Sequence, residues 1–197
     1  MNRESRRLAA ADLLSLEQYA RERDGFRASV IEHKRARTVP IGPHVTWIFE
    51  DRLTVQYQVQ EMLRIERIFE AAGIAEELDA YNPLIPDGGN WKATMMIEYP
   101  DPSVREAALV ALRGIEDRCY VEVDGFPRVI AIADEDLERQ NATKTSAVHW
   151  LRFELPPAAR DAIRRGATVT AGADHPQYRH ANRLSPETLE ALGRDLD

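Results

Sequence analysis

Residues 54–70, TVQYQVQEMLRIERIFE, carry the clearest helical period in the chain. At about 100° per residue, Val55, Val59, Met62, Ile65 and Phe69 gather on one face, while Gln56, Gln60, Arg64 and Arg67 lie opposite. Gln58, Met62 and Glu66 form an i, i+4, i+8 row that sets an amide and a carboxylate inside the apolar stripe. A carboxylate taken out of water must be paired, hydrogen-bonded or protonated, because an isolated buried charge costs far more than one side chain's burial returns. The expectation is a buried Glu66 with a partner, whose replacement by alanine costs ~2–4 kcal/mol.

Working outward, this helix should span about residues 51–72, with Gly73 as its C-terminal cap and a shorter helix over 74–80. Upstream, Ser15 and Gln18 form a capping box, which starts a helix at Leu16. Asp24-Gly25 should end it, with a second helix over 26–37. Pro40, Gly42 and Pro43 then break the chain, and 44–49 reads as a short strand or as the entry to the main helix. Downstream, residues 81–92, YNPLIPDGGNWK, form a structured loop rich in turn formers. From Ala93 the period becomes two. Strands are expected at 94–99, 118–123, 128–133, 146–155 and 167–173, helices at 102–113 and from Pro157, and a C-terminal helix at about 186–194. Residues 134–144 form a polar connection, helical or irregular. Helices lead and strands follow, so the fold class is α+β: N-terminal helices, one of them long and amphipathic, packed on a mainly antiparallel sheet. One domain over 1–197 is expected, helical at about 13–80 and sheet-rich at about 93–173.

Composition restricts the function. With 197 residues, 44% hydrophobic and 30% charged, the chain can bury a full core. A formal charge of -7 argues against a nucleic-acid backbone as partner. No apolar run approaches the ~18 residues that span a bilayer, so no membrane partner is expected and the location should be cytoplasmic. A single cysteine, Cys119, excludes an internal disulfide framework and any thiolate cluster built from one chain. It reads as a buried, inert thiol.

Several polar residues sit where chemistry is possible. In SAVHWLRFEL, His149 shares a face with Ala147, Leu151 and Phe153, which suits a satisfied core histidine, a base or a ligand. The main helix would cover that face and bring Gln58 or Glu66 near. Glu98 shares a face with Thr94 and Met96. Glu66, Glu98 and His149 could together hold a metal, or they could pair with Arg64, Arg67 or Arg152. Asp174-His175-Pro176 follows a strand end and is either a site or an ordinary turn. Asn82, Asp87, Asn90 and Lys92 of the 81–92 loop could contribute to a pocket or cradle an anion. No Glu-x-x-His pair, His-Glu-x-x-His, Cys-x-x-Cys, G-x-S-x-G or dinucleotide fingerprint is present, and no cofactor is indicated.

LTVQYQVQEMLRIERIFE, ELDAYNPLIPDGGNWKATMMIEYPD, AIADEDLER, KTSAVHWLRFEL and ADHPQY resemble the bacterial family known as domain of unknown function 3501, over about residues 13–178. The resemblance implies a bacterial cytosolic protein often encoded near rubrerythrin-like and iron–sulfur proteins, and so a link to peroxide or redox metabolism. Two functions remain open. One is a non-enzymatic accessory or ligand-binding protein, homo-oligomeric and serving a rubrerythrin-like or iron–sulfur partner that carries the redox cofactors. The other is a metal-binding protein or metal-dependent enzyme using Glu66, Glu98 and His149.

Overall fold

A computed structural model describes residues 6–135 and 143–197. The fold is α+β, and among the described residues every strand pair is antiparallel. The strands divide between two sheets. The larger runs β1 (Thr38–Pro40), β2 (Val45–Phe49), β3 (Asn90–Ile97), β7 (Val148–Glu154) and β6 (Ile132–Ala133). The smaller runs β5 (Val129–Ile130), β4 (Cys119–Val123), β8 (Val169–His175) and β9 (Tyr178–Arg183).

Alternation builds the main core. Val45, Trp47 and Phe49 of β2, Trp91, Ala93, Met95 and Ile97 of β3, and Leu151 and Phe153 of β7 are buried, as are Cys119, Val121, Val123, Val169, Ala171 and Ala173 of the smaller sheet. All belong to one apolar cluster. Its centre is aromatic: Trp47 stacks on Phe153 at 5.3 Å and meets Phe49 edge-on, which in turn meets Trp91. The expected strand at 128–133 crosses between sheets, β5 pairing with β4 and β6 with β7, and Ala131 alone makes the corner.

Three helices lead the chain: α1 (Leu16–Arg35), α2 (Arg52–Glu66) and α3 (Ala71–Tyr81). The Ser15 hydroxyl accepts from the Gln18 amide, but the Gln18 side chain donates to Glu22 rather than closing the expected capping box. Asp24-Gly25 does not end α1. One interior glycine costs only ~1 kcal/mol, and the helix carries both Tyr19 and Val30 into burial. Helix α2 opens on a reciprocal cap between Asp51 and Thr54 and stops at Arg67, whose φ is 56°. Gly73 is therefore inside α3 and not a cap. A Cβ there would lie 2.7 Å from Ile68 Cγ2, so the close approach of α3 to the preceding turn requires glycine.

The buried face of α2 differs from the expected one. Thr54, Val55, Val59, Gln60 and Leu63 are buried, whereas Gln58 and Glu66 are exposed, and Ile65 and Phe69 are 59% and 70% exposed. The cause is Gln60, whose Oε1 accepts from Leu14 N at 2.6 Å and whose Nε2 donates to Leu14 O at 3.3 Å. This clamp turns the helix toward the leading segment. Asn82 acts likewise, accepting from Leu8 N at 2.7 Å and donating to Leu8 O at 3.0 Å. Val55, Val59, Leu63, Leu8, Leu78 and Ile85 form a second apolar cluster.

Among the described residues the later α-helices are α4 (Pro102–Ala111), α5 (Pro157–Arg164) and α6 (Pro186–Gly193), each with proline in its first turn. β1 and β9 have no counterpart among the expected strands. Residues 136–142 of the expected polar connection lie outside the described residues.

Candidate functional site

His149 faces inward on β7 and has no solvent exposure. Helix α2 does not supply its partners. Nδ1 meets Asp134 Oδ2 at 2.6 Å, while Nε2 meets Thr145 Oγ1 at 2.8 Å, Ser146 O at 3.1 Å and Glu116 Oε2 at 3.8 Å. The Thr145 hydroxyl also donates to Glu116 Oε2 at 3.3 Å. Glu116, Thr145 and His149 are buried.

Local structure holds each group in place. Asp134 follows β6, its N–H donating to Trp150 O and its Oδ1 accepting from Trp150 N, with a φ of 49°. A left-handed aspartate persists only where its surroundings fix it, and the Trp150 pairing does so. Glu116 opens the short 3-10 turn Glu116–Arg118 before β4. Thr145 N donates to Leu109 O near the end of α4. Elements from three regions thus converge on one imidazole.

Among the described residues, Glu116, Asp134 and His149 form a group whose ligand atoms all lie within 4.8 Å of one another. Glu66 and Glu98 are not in it. Glu66 ends α2 on the surface. Glu98 lies just past β3, exposed, where it accepts from the Thr46 hydroxyl at 2.6 Å. Of the expected trio only His149 reaches the cluster, because the strand pairing places β6 and the Glu116 turn beside it. Sequence reasoning missed Glu116, Asp134 and Thr145. Asp134 was in sight as the polar residue ending an apolar strand, but no periodicity marks Glu116.

The other candidates lie outside this cluster. Arg64 pairs with Glu61, which also receives Arg23 and the Tyr19 hydroxyl; these donors hold the Glu61 carboxyl at about 2, below its ordinary 4.5. Asp87 Oδ1 accepts from Gly89 N, Asn90 Oδ1 accepts from Asp87 N, and Asn90 Nδ2 donates to Glu154. The Asp87 and Gly89 amides thus bond within the loop itself. Lys92 Nζ donates to the carbonyls of Pro83 and Ile85, and burial pushes its pKa down. His175 accepts at Nδ1 from Gln177 N and donates from Nε2 to Arg113 O, so the backbone uses both ring nitrogens. Exposed Asp174 lies between Arg128 and Arg179. Cys119 is buried against Met95 Sδ at 3.6 Å and Ile115 O at 3.4 Å, and burial raises its thiol pKa well above the ordinary value.

Among the described residues, no helix is long and apolar enough to cross a membrane. No curated protein matches the chain. A crystal structure of a novel protein of unknown function from Burkholderia pseudomallei K96243 is similar at 52% identity, covering 96% of this chain and 99% of that one, with a TM-score of 0.92. The family described as "Protein of unknown function (DUF3501)" matches residues 7–196, and the chain belongs to it.

Proposed function

We propose that the chain is a non-catalytic accessory protein that holds one divalent metal ion at His149. The observation that carries this is the asymmetry of the imidazole. Asp134 takes Nδ1 at 2.6 Å, the arrangement by which a carboxylate fixes the tautomer and orients a metal-binding histidine. Nε2 is left facing three oxygens, Thr145 Oγ1, Ser146 O and Glu116 Oε2, at 2.8, 3.1 and 3.8 Å. Donors each ~2.1 Å from one ion lie roughly 3–4 Å apart, so a small cation fits between Nε2 and these oxygens. One nitrogen with carboxylate, hydroxyl and carbonyl oxygens suits manganese, iron(II) or zinc.

Glu116, Thr145 and His149 are buried and Asp134 only partly exposed, which supports a structural ion over a catalytic one open to substrate. In the redox setting implied by the family resemblance, the electron carriers then reside in a partner protein. The buried, raised-pKa Cys119 fits that assignment, since a protonated thiol is a poor nucleophile and ligand.

Elemental analysis of protein purified without a histidine tag tests the proposal, together with melting before and after chelation. One equivalent of metal, lost in Glu116→Gln and in His149→Gln, and a melting temperature lowered by chelator are expected. Metal-free protein whose melting ignores added manganese, iron(II) or zinc would overturn it. His149 would then be a core histidine held by its hydrogen bonds to Asp134, Thr145 and Ser146.

A further inference from the structure

On the opposite face of β7 from His149, a cavity of about 210 Å³ opens beneath the end of α3. Its walls are Trp150, Leu84, Pro83, Ala80 and Ile132, and Lys92, Arg152 and Glu135 stand at its polar side. Tyr81 lies 6.4 Å from the Trp150 ring, extending the aromatic wall. Such a volume admits a single ring or a branched aliphatic group but no nucleotide.

The charges at this site are unevenly matched. Lys92 and Arg152 are directly opposed partners in the β3–β7 ladder, and like charges facing each other across strands are destabilising. Arg152 is answered by Glu135, through Nε at 2.6 Å and a second guanidinium nitrogen at 2.7 Å, and by Glu154. Among the described residues Lys92 makes no direct ion pair, although the Asp87, Glu135 and Glu154 carboxylates act on its charge from further off. Two of its three N–H groups serve the Pro83 and Ile85 carbonyls, which leaves one donor and a full positive charge at an apolar cavity. Burial and Arg152 disfavour that charge while Asp87, Glu135 and Glu154 favour it from beyond direct contact, so a carboxylate accepting the remaining N–H would add the close anionic partner that Lys92 lacks.

We infer that this cavity binds a small carboxylic acid in its ionised form, its carboxylate on Lys92 Nζ and its ring or branched tail against Trp150. The protein supplies its own reporter. Of its three tryptophans, Trp47 and Trp91 have no exposure, so a fluorescence change on ligand addition arises at Trp150.

The experiment is a fluorescence titration with phenylacetate and with its neutral isostere phenylacetamide. Phenylacetate should give a saturable change with a Kd of ~1 mM or tighter, and phenylacetamide should bind about tenfold more weakly or worse, as loss of a charge-assisted hydrogen bond dictates. Lys92→Met should abolish the difference between the two probes. Because that substitution also releases two loop carbonyls, Ala80→Phe is the companion variant: it lies on an exposed helical position, should melt like the wild type, and should block both probes. Equal affinity for the two probes in the wild type, unchanged binding in Ala80→Phe, or no effect of phenylacetate on Trp150 fluorescence up to ~10 mM would each overturn the inference. The outcome is independent of metal content, since the cavity shares no side chain with the His149 centre.

Discussion

Helix α2 offers two substitutions, two turns or fewer apart, for which sequence and structure give opposite forecasts. Gln60 has no exposure and makes both hydrogen bonds to the Leu14 backbone, at 2.6 and 3.3 Å. Leucine at 60 keeps the volume and removes the bonds. Two net hydrogen bonds at ~1 kcal/mol each, with up to ~3 kcal/mol more where a part-buried backbone group is stranded, give a loss of about 2–5 kcal/mol for Gln60→Leu. For a chain of this size each kcal/mol lowers Tm by ~2–4 °C, so the melt should fall by roughly 4–20 °C. Glu66→Ala, at an exposed position, should stay within ~0.5 kcal/mol of the wild type. Thermal and urea unfolding measure both, and amide exchange at Leu14 localises the effect: protection should vanish in Gln60→Leu while α2 itself stays protected. If Gln60→Leu melts within ~2 °C of the wild type, or if Glu66→Ala costs as much, the assigned face of α2 is wrong.

Three further outcomes are expected. The Glu61 carboxyl is held at about 2 by Arg23 and then by Tyr19 and Arg64, below its ordinary 4.5; a depressed folded pKa stabilises above the unfolded value and is lost on acidification, so the stability gap between wild type and Glu61→Gln should be constant near neutrality and shrink between about pH 4.5 and 2 in urea melts. Cys119, protonated and buried, should react with a disulfide reagent only as fast as the protein unfolds, and a rapid native reaction would contradict its placement. Gly42 has a φ of 75°, and a Cβ there would lie 2.4 Å from the His180 ring; Gly42→Ala should cost ~1–3 kcal/mol, whereas Gly25→Ala, open on all sides in α1, should stabilise by up to ~1 kcal/mol.

What was legible in the sequence was whatever local physics determines. The Ser15 cap, the prolines opening α4, α5 and α6, and the alternation that buries His149, Leu151 and Phe153 all depend on residues within one turn or one strand. The failures share a cause. Gln60 looked solvated because its partner is the backbone of Leu14, 46 residues away, and helical periodicity records only whether a side chain is apolar. Asp24-Gly25 looked like a helix end because turn chemistry is local, while the burial of Tyr19 and Val30 that carries α1 through it is not. Glu116 was invisible because only the pairing of β4, β5, β6 and β7 sets its turn beside His149.

The single-residue corner at Ala131 has a dynamic consequence. With one residue between β5 and β6, the two sheets can separate there by no more than about one residue's reach, ~3.6 Å, before a ladder unzips. Neither sheet can then open far without loosening the other, and exchange of the deepest amides in β4 and in β7 should track one common opening event rather than two. Ala131 would act as a stitch that makes the two layers a single cooperative unit, with the His149 cluster protected for as long as that unit stays closed.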